Sequence, residues 1–362
     1  MASTSESLLI QASVLYGAKD LRIDSRPLPA PTADEVQVAV RSTGICGSDL
    51  HYYTHFRNGD ILVREPLTLG HESTGIVVSV GTDVSGLAPG TPSPSSSAKS
   101  FPHAQGTLQE RINHPARWCH RLPDAVSPHL GALVEPLSVA IHSSNRAALA
   151  PGSSVLVLGA GAVGLLVAAM CKIRGARDVV ISDVDEGRSS FAVRHRFAHH
   201  SVVAPTKRGA DVTEDLALAR EGALRYGEVL SQDGTPIGEF DAVFECTGVQ
   251  SCLQTAIYAT RPGGKVMILG MGSPVQTLPI SAAALREVDL CGVFRYANAY
   301  PSAIEVLSAT AEDYPDFPSL ISHTFYGLDS VEDAFAMACR KSDDAAKLVL
   351  KVVVDLQNTS SV

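Results

Sequence analysis

The chain has 362 residues, which suggests about two domains, and 45% of them are hydrophobic, enough for a sizeable core. A formal net charge of -9 without a stripe of Lys and Arg argues against nucleic-acid binding, and no apolar run reaches the roughly 18 residues of a membrane span. Because the N-terminus lacks a secretory signal pattern and the seven cysteines are scattered singly, we expect a cytoplasmic protein with reduced thiols.

The first 140 or so residues contain short apolar runs separated by turn residues. Val36–Val40 alternates as a half-buried strand does, and Gly75–Gly81 is an apolar run bounded by glycine. These runs predict a small β-barrel-like domain. Residues 87–105 are rich in Pro and Ser and predict an irregular loop, in which Thr91–Ser97 has the composition of a disordered linker.

From about residue 150 the chain alternates short β-branched runs with helical stretches. The predicted elements are strands at 155–158, 179–182, 242–245 and 265–269, with helices at 162–174, near Arg188 and around 254–259. This alternation predicts an α/β fold with a doubly wound parallel sheet. Near the end, Val331–Ala338 is helical in pattern, and Lys347–Val354 is an apolar strand that returns to the first domain.

A dinucleotide-binding pattern follows the first of these strands. Gly159, Gly161, Val163 and Gly164 belong to a G-x-G-x-x-G segment with a strand before it and an apolar helix after it. Asp183 closes the next strand, 19 residues after Gly164, where a carboxylate would accept hydrogen bonds from ribose hydroxyls and repel a 2′-phosphate. The pattern therefore favours NAD over NADP, although Arg188 on the following helix could flank the adenosine. The alternative is a simple tight turn, with Asp183 as a helix cap.

Metal-binding residue types occur at three places in the first domain. Cys46 follows a strand-like run, His71 and Glu72 are adjacent, and Glu135 precedes a proline. One thiolate, one imidazole and one or two carboxylates suit an open catalytic zinc site. No local spacing enforces this set, and on residue type alone Cys46 fits a small core residue better than a ligand.

Seven segments, in this order, resemble the polyol branch of the zinc-containing medium-chain dehydrogenases, which includes sorbitol, xylitol and arabinitol dehydrogenases. They are GICGSDLHYY (44–53), LGHESTGIV (69–77), LVEPLSVAIH (133–142), VLVLGAGAVGL (155–165), FECTGV (244–249), RPGGKVMILG (261–270) and REVDLCGVFRYANAYP (286–301). The resemblance implies a GroES-like β-barrel catalytic domain over residues 1–147, an inserted Rossmann domain over 148–297, and a return to the catalytic domain over 298–362. It also implies oxidation of a sugar alcohol to a ketose with NAD, and assembly into a homotetramer.

The resemblance assigns roles to individual residues. Cys46, His71 and Glu72 match the zinc ligands, and Glu135 matches the carboxylate that holds or exchanges with the zinc-bound water. Ser48 and His51 match the proton-relay positions. The residues that match the substrate pocket are Tyr52, Arg295 and Tyr296.

The chain departs from the family between Gly90 and Gly106, where relatives usually carry four cysteines that bind a structural zinc and this chain has none. One catalytic zinc and no structural zinc is therefore expected. The segment after Leu87 is also shorter than in the family. Its loss of a barrel strand would expose a sheet edge, and Phe101 is a candidate for the aromatic that this lobe gives to the pocket. Two alternatives stay open: a dehydrogenase of another secondary alcohol, against which the Arg295–Tyr296 pair argues, and a catalytically weak dinucleotide-binding relative.

Overall fold

The computed structural model describes residues 7–95, 104–309, 311 and 313–357. Contacts divide the chain into two compact units. The first comprises residues 1–135, 300–309 and 317–362, and the second comprises residues 136–299 and 310–316. The second unit is thus an insertion in the sequence of the first.

The secondary structure elements are numbered in chain order. The strands are β1 (Leu8–Gly17), β2 (Asp20–Leu28), β3 (Glu35–Gly44), β4 (Arg57–Asn58), β5 (Ile61–Leu62), β6 (Leu67–Thr68), β7 (Glu72–Val80), β8 (Pro92–Ser95), β9 (Arg111–Pro115), β10 (Ser154–Leu158), β11 (Asp178–Asp183), β12 (His200–Val203), β13 (Phe240–Glu245), β14 (Thr260–Ile268), β15 (Asp289–Gly292), β16 (Ile321–Tyr326) and β17 (Lys351–Asp355). The α-helices are α1 (Gly47–His55), α2 (Pro128–Ala132), α3 (Val134–Ala147), α4 (Ala162–Ile173), α5 (Glu186–Arg194), α6 (Val212–Gly227), α7 (Gln250–Ala259), α8 (Ile280–Ala284), α9 (Tyr300–Ser308) and α10 (Val331–Ala338).

The first unit is built mainly from β-strands. Its larger sheet has the order β16-β17-β3-β7-β8, with β9 also paired to β3, and a smaller sheet has the order β2-β1-β6. Alternate residues of β3, such as Val36, Val38 and Val40, enter one apolar core together with Phe335 of α10. The C-terminal strand β17 pairs antiparallel with β3, so the end of the chain completes the sheet formed by its beginning.

The Pro/Ser-rich segment does not behave as a linker where it is described. Residues 92–95 form β8, which pairs antiparallel with β7, so the linker prediction was wrong for these positions. A strand at the edge of a sheet tolerates proline because it needs no amide donor on its outer side, and Pro92 and Pro94 occupy alternate positions of this edge strand. The backbone N–H of Leu122 also donates to the Pro92 carbonyl at 2.9 Å. Residues 96–103, which include Phe101, lie outside the described part of the chain.

The second unit contains the expected doubly wound parallel sheet. Its strand order is β12-β11-β10-β13-β14-β15, and all five strand pairings are parallel. Strands β11 and β12 are added on one side of β10, and strands β13 to β15 are added on the other side. In such sheets ligands bind at the carboxyl ends of the strands, at the point where the strand order changes side. Strand β10 is buried along its whole length, as a central strand covered on both faces should be.

Helix α4 continues directly from the loop after β10. Its residues from Gly164 to Cys171 are all buried, which explains why its sequence is apolar on every side. Among the described residues, no helix combines the length and the hydropathy needed to cross a bilayer.

Candidate active site

Three potential metal ligands of the first unit lie together. Ligand atoms of Cys46, His71 and Glu72 are all within 4.8 Å of one another, and no other such group was found among the described residues. Cys46 is the N-cap of α1, two residues after the end of β3, and Glu72 is the first residue of β7. Because β3 and β7 are neighbours with Gly44 opposite Glu72, residues distant in sequence meet at one end of the sheet.

Asp49, which the sequence analysis did not single out, fixes the geometry of this cluster. Its Oδ1 lies 3.3 Å from Nδ1 of His71, and its two carboxylate oxygens accept the backbone N–H groups of Cys46 and Gly70 at 3.2 and 3.3 Å. A carboxylate on Nδ1 holds the proton there and leaves Nε2 as the metal-binding nitrogen. Ser48 Oγ lies 3.4 Å from that Nε2 and therefore beside the position of a bound ion.

The buried charges of Asp49 and His71 support each other. Burial alone would lower the pKa of His71, but the nearby Asp49 carboxylate and Cys46 outweigh it and hold that pKa well above its usual value. Burial likewise opposes the charge on Asp49, and His71 together with the backbone donors keeps the pKa of Asp49 below its usual value.

Glu72 has a second partner that the sequence analysis also missed. Nζ of Lys351 on β17 donates to both carboxylate oxygens, at 2.8 and 2.6 Å, and to the carbonyl of Ile45 at 3.2 Å. Glu72 is 1% exposed and Lys351 is 5% exposed, so this is a buried ion pair. The sequence does contain one sign of this ion pair, which is the lysine inside the apolar run of the last strand. Lysine is almost never buried unless it is paired, so a lysine at such a position predicts a buried partner.

The remaining candidates of the first unit lie on α1 and at the start of α3. His51 and Tyr52 are both half-buried on α1, and Tyr52 packs against the core. Glu135 is buried in the first turn of α3 and is close enough to Lys351 to act on its charge. Glu135 is not a member of the group of three mutually close ligands among the described residues.

The glycine-rich loop of the second unit has the features that a dinucleotide needs. Gly159 has φ 102°, in the left-handed region that favours glycine, and a Cβ on Gly164 would collide with the Gly159 carbonyl oxygen. A Cβ on Gly161 would meet only Nη1 of Arg188, at 3.9 Å, so the backbone here is open to a ligand. Gly161 is also the N-cap of α4, whose first amides and dipole attract a pyrophosphate.

Asp183 stands beside this loop, as the sequence pattern predicts. Its Oδ2 accepts the Ala160 N–H at 2.8 Å and its Oδ1 accepts the Asp185 N–H at 3.0 Å. The carboxylate is therefore held in place by two backbone donors and keeps lone pairs for further hydrogen bonds. Arg188, in the first turns of α5, brings a positive charge to the same loop.

Arg295 and Tyr296 belong to the second unit, in the segment after β15. Arg295 has φ 53°, and its guanidinium lies 5.3 Å from the ring centroid of Phe294. Arg295 is exposed and Tyr296 is half-buried. A non-glycine residue in the left-handed region is uncommon and marks a constrained turn.

Two family models match the chain. The alcohol dehydrogenase GroES-like domain matches residues 32–124, and the zinc-binding dehydrogenase domain matches residues 162–309. The first match contains the Cys46–His71–Glu72 cluster, and the second begins inside the glycine-rich loop.

Individual proteins resemble the chain over nearly its whole length. The sorbitol dehydrogenase of Gallus gallus is 36% identical over 374 residues, covering 97% of this chain and 98% of the relative. The sorbitol dehydrogenase of Bos taurus is 35% identical, and the match covers 95% of this chain and 97% of the relative. The crystal structure of an Escherichia coli oxidoreductase of unknown specificity has a TM-score of 0.81 at 26% identity, covering 97% of this chain and 100% of that one. The chain belongs to the zinc-containing medium-chain alcohol dehydrogenase family, in its polyol branch.

Proposed function

We propose that this protein oxidises a sugar alcohol to a ketose, with one zinc ion bound by Cys46, His71 and Glu72 and with NAD as hydride acceptor. The observation that carries the proposal is the cluster of three ligand atoms within 4.8 Å, with a carboxylate on the far nitrogen of its histidine. Family membership and the open glycine-rich loop support it.

When bound, zinc supplies Lewis acidity toward an alcohol oxygen, and NAD supplies the acceptor for its hydride. The protein residues orient the reactants and move the proton. Ser48, beside Nε2 of His71, is placed to receive the proton of the substrate hydroxyl. His51 lies three residues further along α1, on the same helical face, and can pass that proton outward. Glu135 is the buried carboxylate that would hold water at the metal.

We assign recognition of the polyol chain to Arg295 and Tyr296. A guanidinium offers five donors in a fixed fork, which suits a row of hydroxyl acceptors. Each such charge-assisted hydrogen bond contributes about 1.5–3 kcal/mol. The change Arg295→Leu should therefore lower kcat/KM for a xylitol- or sorbitol-like substrate by about tenfold to a hundredfold. It should barely affect 2-propanol, which has no further hydroxyls, and equal losses on both substrates would contradict this role.

The test of the whole proposal is a panel of polyols with NAD, run beside elemental analysis. About one zinc per chain with turnover of polyols is expected. Zinc with turnover of only other secondary alcohols would favour the alternative dehydrogenase, and no zinc with no turnover would favour a catalytically weak relative.

We infer a preference for NAD over NADP from Asp183. Its fixed carboxylate can accept hydrogen bonds from the ribose hydroxyls of NAD and would repel the phosphate of NADP. The kcat/KM with NAD should exceed that with NADP, and Asp183→Ser should narrow the difference. A higher value with NADP in the unchanged protein would mean that Arg188 dominates the site.

We further propose a homotetramer in the cytoplasm. The outermost strand β15 leaves a sheet edge, and the second unit exposes large apolar side chains, among them Val275 (83%), Leu285 (87%) and Phe294 (69%). A reducing compartment keeps the Cys46 thiol free for the metal. Light scattering on the purified protein tests the homotetramer, and a monomer would contradict it. Fractionation of cells tests the cytoplasmic location.

A further inference from the structure

Lys351 reaches the metal cluster because of the strand order of the first unit. Val353 of β17 lies opposite Gly44 of β3, and Gly44 lies opposite Glu72 of β7. Since side chains two residues apart share a face of a strand, Lys351 lies on the same face as Val353. Gly44, between the two outer strands, has no side chain, and Lys351 can therefore reach across it to Glu72.

The pair is charged and closed off from water. Glu72 is 1% exposed and Lys351 is 5% exposed, and Nζ of Lys351 lies 2.8 and 2.6 Å from the two carboxylate oxygens. Both oxygens of Glu72 accept from the ammonium group, yet each oxygen has a further lone pair. The carboxylate can thus be shared between Lys351 and a metal ion.

A carboxylate next to a metal ligand strengthens that ligand's bond to the metal, whereas a cation next to a ligand weakens it. The Asp49 carboxylate makes the His71 imidazole a stronger donor, as such partners generally do. The Lys351 ammonium withdraws electron density from Glu72 and repels a divalent ion. Of the three ligands, Glu72 is therefore the one whose bond to the metal is weakened.

We propose that Lys351 is a positioning residue that holds the Glu72 carboxylate in place through its two hydrogen bonds, and shares it with zinc as the most weakly held ligand. The inference rests on the proposed function, because it takes Glu72 to be a zinc ligand.

The test is a double-mutant cycle with the variants Lys351→Met, Glu72→Gln and the pair together, in the full-length protein. Zinc dissociation constants are measured by competition with a chromophoric chelator, and the cobalt-substituted proteins are compared by visible absorption. Lys351→Met should tighten zinc binding by about tenfold when Glu72 is present, which corresponds to the removal of about 1.4 kcal/mol of repulsion between the ammonium group and the ion. In the Glu72→Gln background the same change should alter the constant less than about twofold.

Stability of the metal-free proteins provides the second measurement. Lys351→Met alone should lower the melting temperature, because it leaves a buried carboxylate without its cation, whereas the double variant should melt close to Glu72→Gln. Lys351→Arg keeps the charge and should behave like the unchanged protein in zinc affinity. If Lys351→Met folds only when zinc is supplied, zinc has replaced the missing cation, as the inference requires.

Three results would overturn the inference: weaker zinc binding in Lys351→Met, equal changes in both backgrounds, or failure of Lys351→Met to fold even with zinc. Weaker zinc binding would mean that Lys351 strengthens the bond of Glu72 to the metal, and either of the other two results would mean that Lys351 serves the fold alone. Absence of zinc from the unchanged protein would instead refute the proposed function, so the two failures are distinguishable.

Discussion

The substitution Gly44→Ala tests whether Glu72 needs the absence of a side chain at position 44 to keep its position. A Cβ at this position would collide with one carboxylate oxygen of Glu72 and lie 3.3 Å from its Cβ. Glu72 cannot retreat freely, because both of its oxygens are bonded to Lys351 at 2.8 and 2.6 Å. The added methyl group must therefore displace the carboxylate or the strand that carries it.

The size of the effect follows from these contacts. Forcing a methyl group into a packed interior destabilises a protein by about 1–3 kcal/mol. A displaced Glu72 also loses part of a charge-assisted hydrogen bond, which contributes about 1.5–3 kcal/mol. We therefore expect metal-free Gly44→Ala to be less stable by about 2 kcal/mol. Zinc binding should weaken by about tenfold or more, since 1.4 kcal/mol corresponds to a factor of ten.

Gly47→Ala is the matched control. Gly47 is the first residue of α1, next to the same ligand Cys46, and a Cβ there would meet nothing within 4 Å. Alanine at a helical position should be neutral or stabilise by up to about 1 kcal/mol. Urea unfolding of both metal-free variants and chelator competition for zinc provide the comparison. Equal unfolding midpoints and equal zinc constants for the two variants would refute the reasoning.

Two further predictions concern Asp49 and His199. Asp49→Asn removes the charge that orients His71, so zinc affinity measured by chelator competition should fall by about 10–100-fold, and an unchanged affinity would show that the carboxylate is dispensable. The pKa of His199 is lowered to about 4, chiefly by burial and also by Lys172 and His200. Below pH 6.5 the unfolded chain binds a proton that the folded chain does not, so metal-free stability should decline as the pH falls from 6.5 toward 4. His199→Asn keeps an acceptor for the Val179 N–H but has no group that titrates in this range. The decline in the free energy of unfolding should therefore be smaller in this variant by about 1–2 kcal/mol, a value that allows for the partial exposure of His199. Identical urea-unfolding profiles against pH for the two proteins would contradict this.

Local patterns predicted the second unit well, because its signals are contiguous in the chain. The strand before Gly159, the helix after it and the acidic end of β11 all lie within about 30 residues, the size of one βαβ unit. The spacing of Gly164 and Asp183 is enough to place the carboxylate beside the loop, where the structure has it.

Composition was a poor guide where pairing with a distant partner decides the structure. Pro92–Ser95 is rich in residues typical of linkers, yet it forms β8 because β7 offers an edge that two alternate prolines can occupy. A strand of this kind is stabilised by its neighbour, and its own residues carry little β-propensity.

The candidate metal site could be predicted only in part, since no spacing connects its members. Cys46, His71 and Glu72 were identified by resemblance, and Asp49 could have been noticed because it follows Cys46 by three residues and can bond its amide. Lys351 could not be linked to Glu72 from the sequence, because the two residues are 279 positions apart and meet only through the order of β17, β3 and β7 in one sheet.

The same pairing gives a reason for the split arrangement of the first unit. The three ligands lie before residue 135, but the cation that balances Glu72 comes from β17, after the whole second unit. A buried carboxylate without its partner is strongly destabilising, so the N-terminal segment alone would carry an uncompensated charge at the centre of its own site. The order of β17, β3 and β7 in one sheet removes that charge, and it does so only when the end of the chain has returned to the first unit.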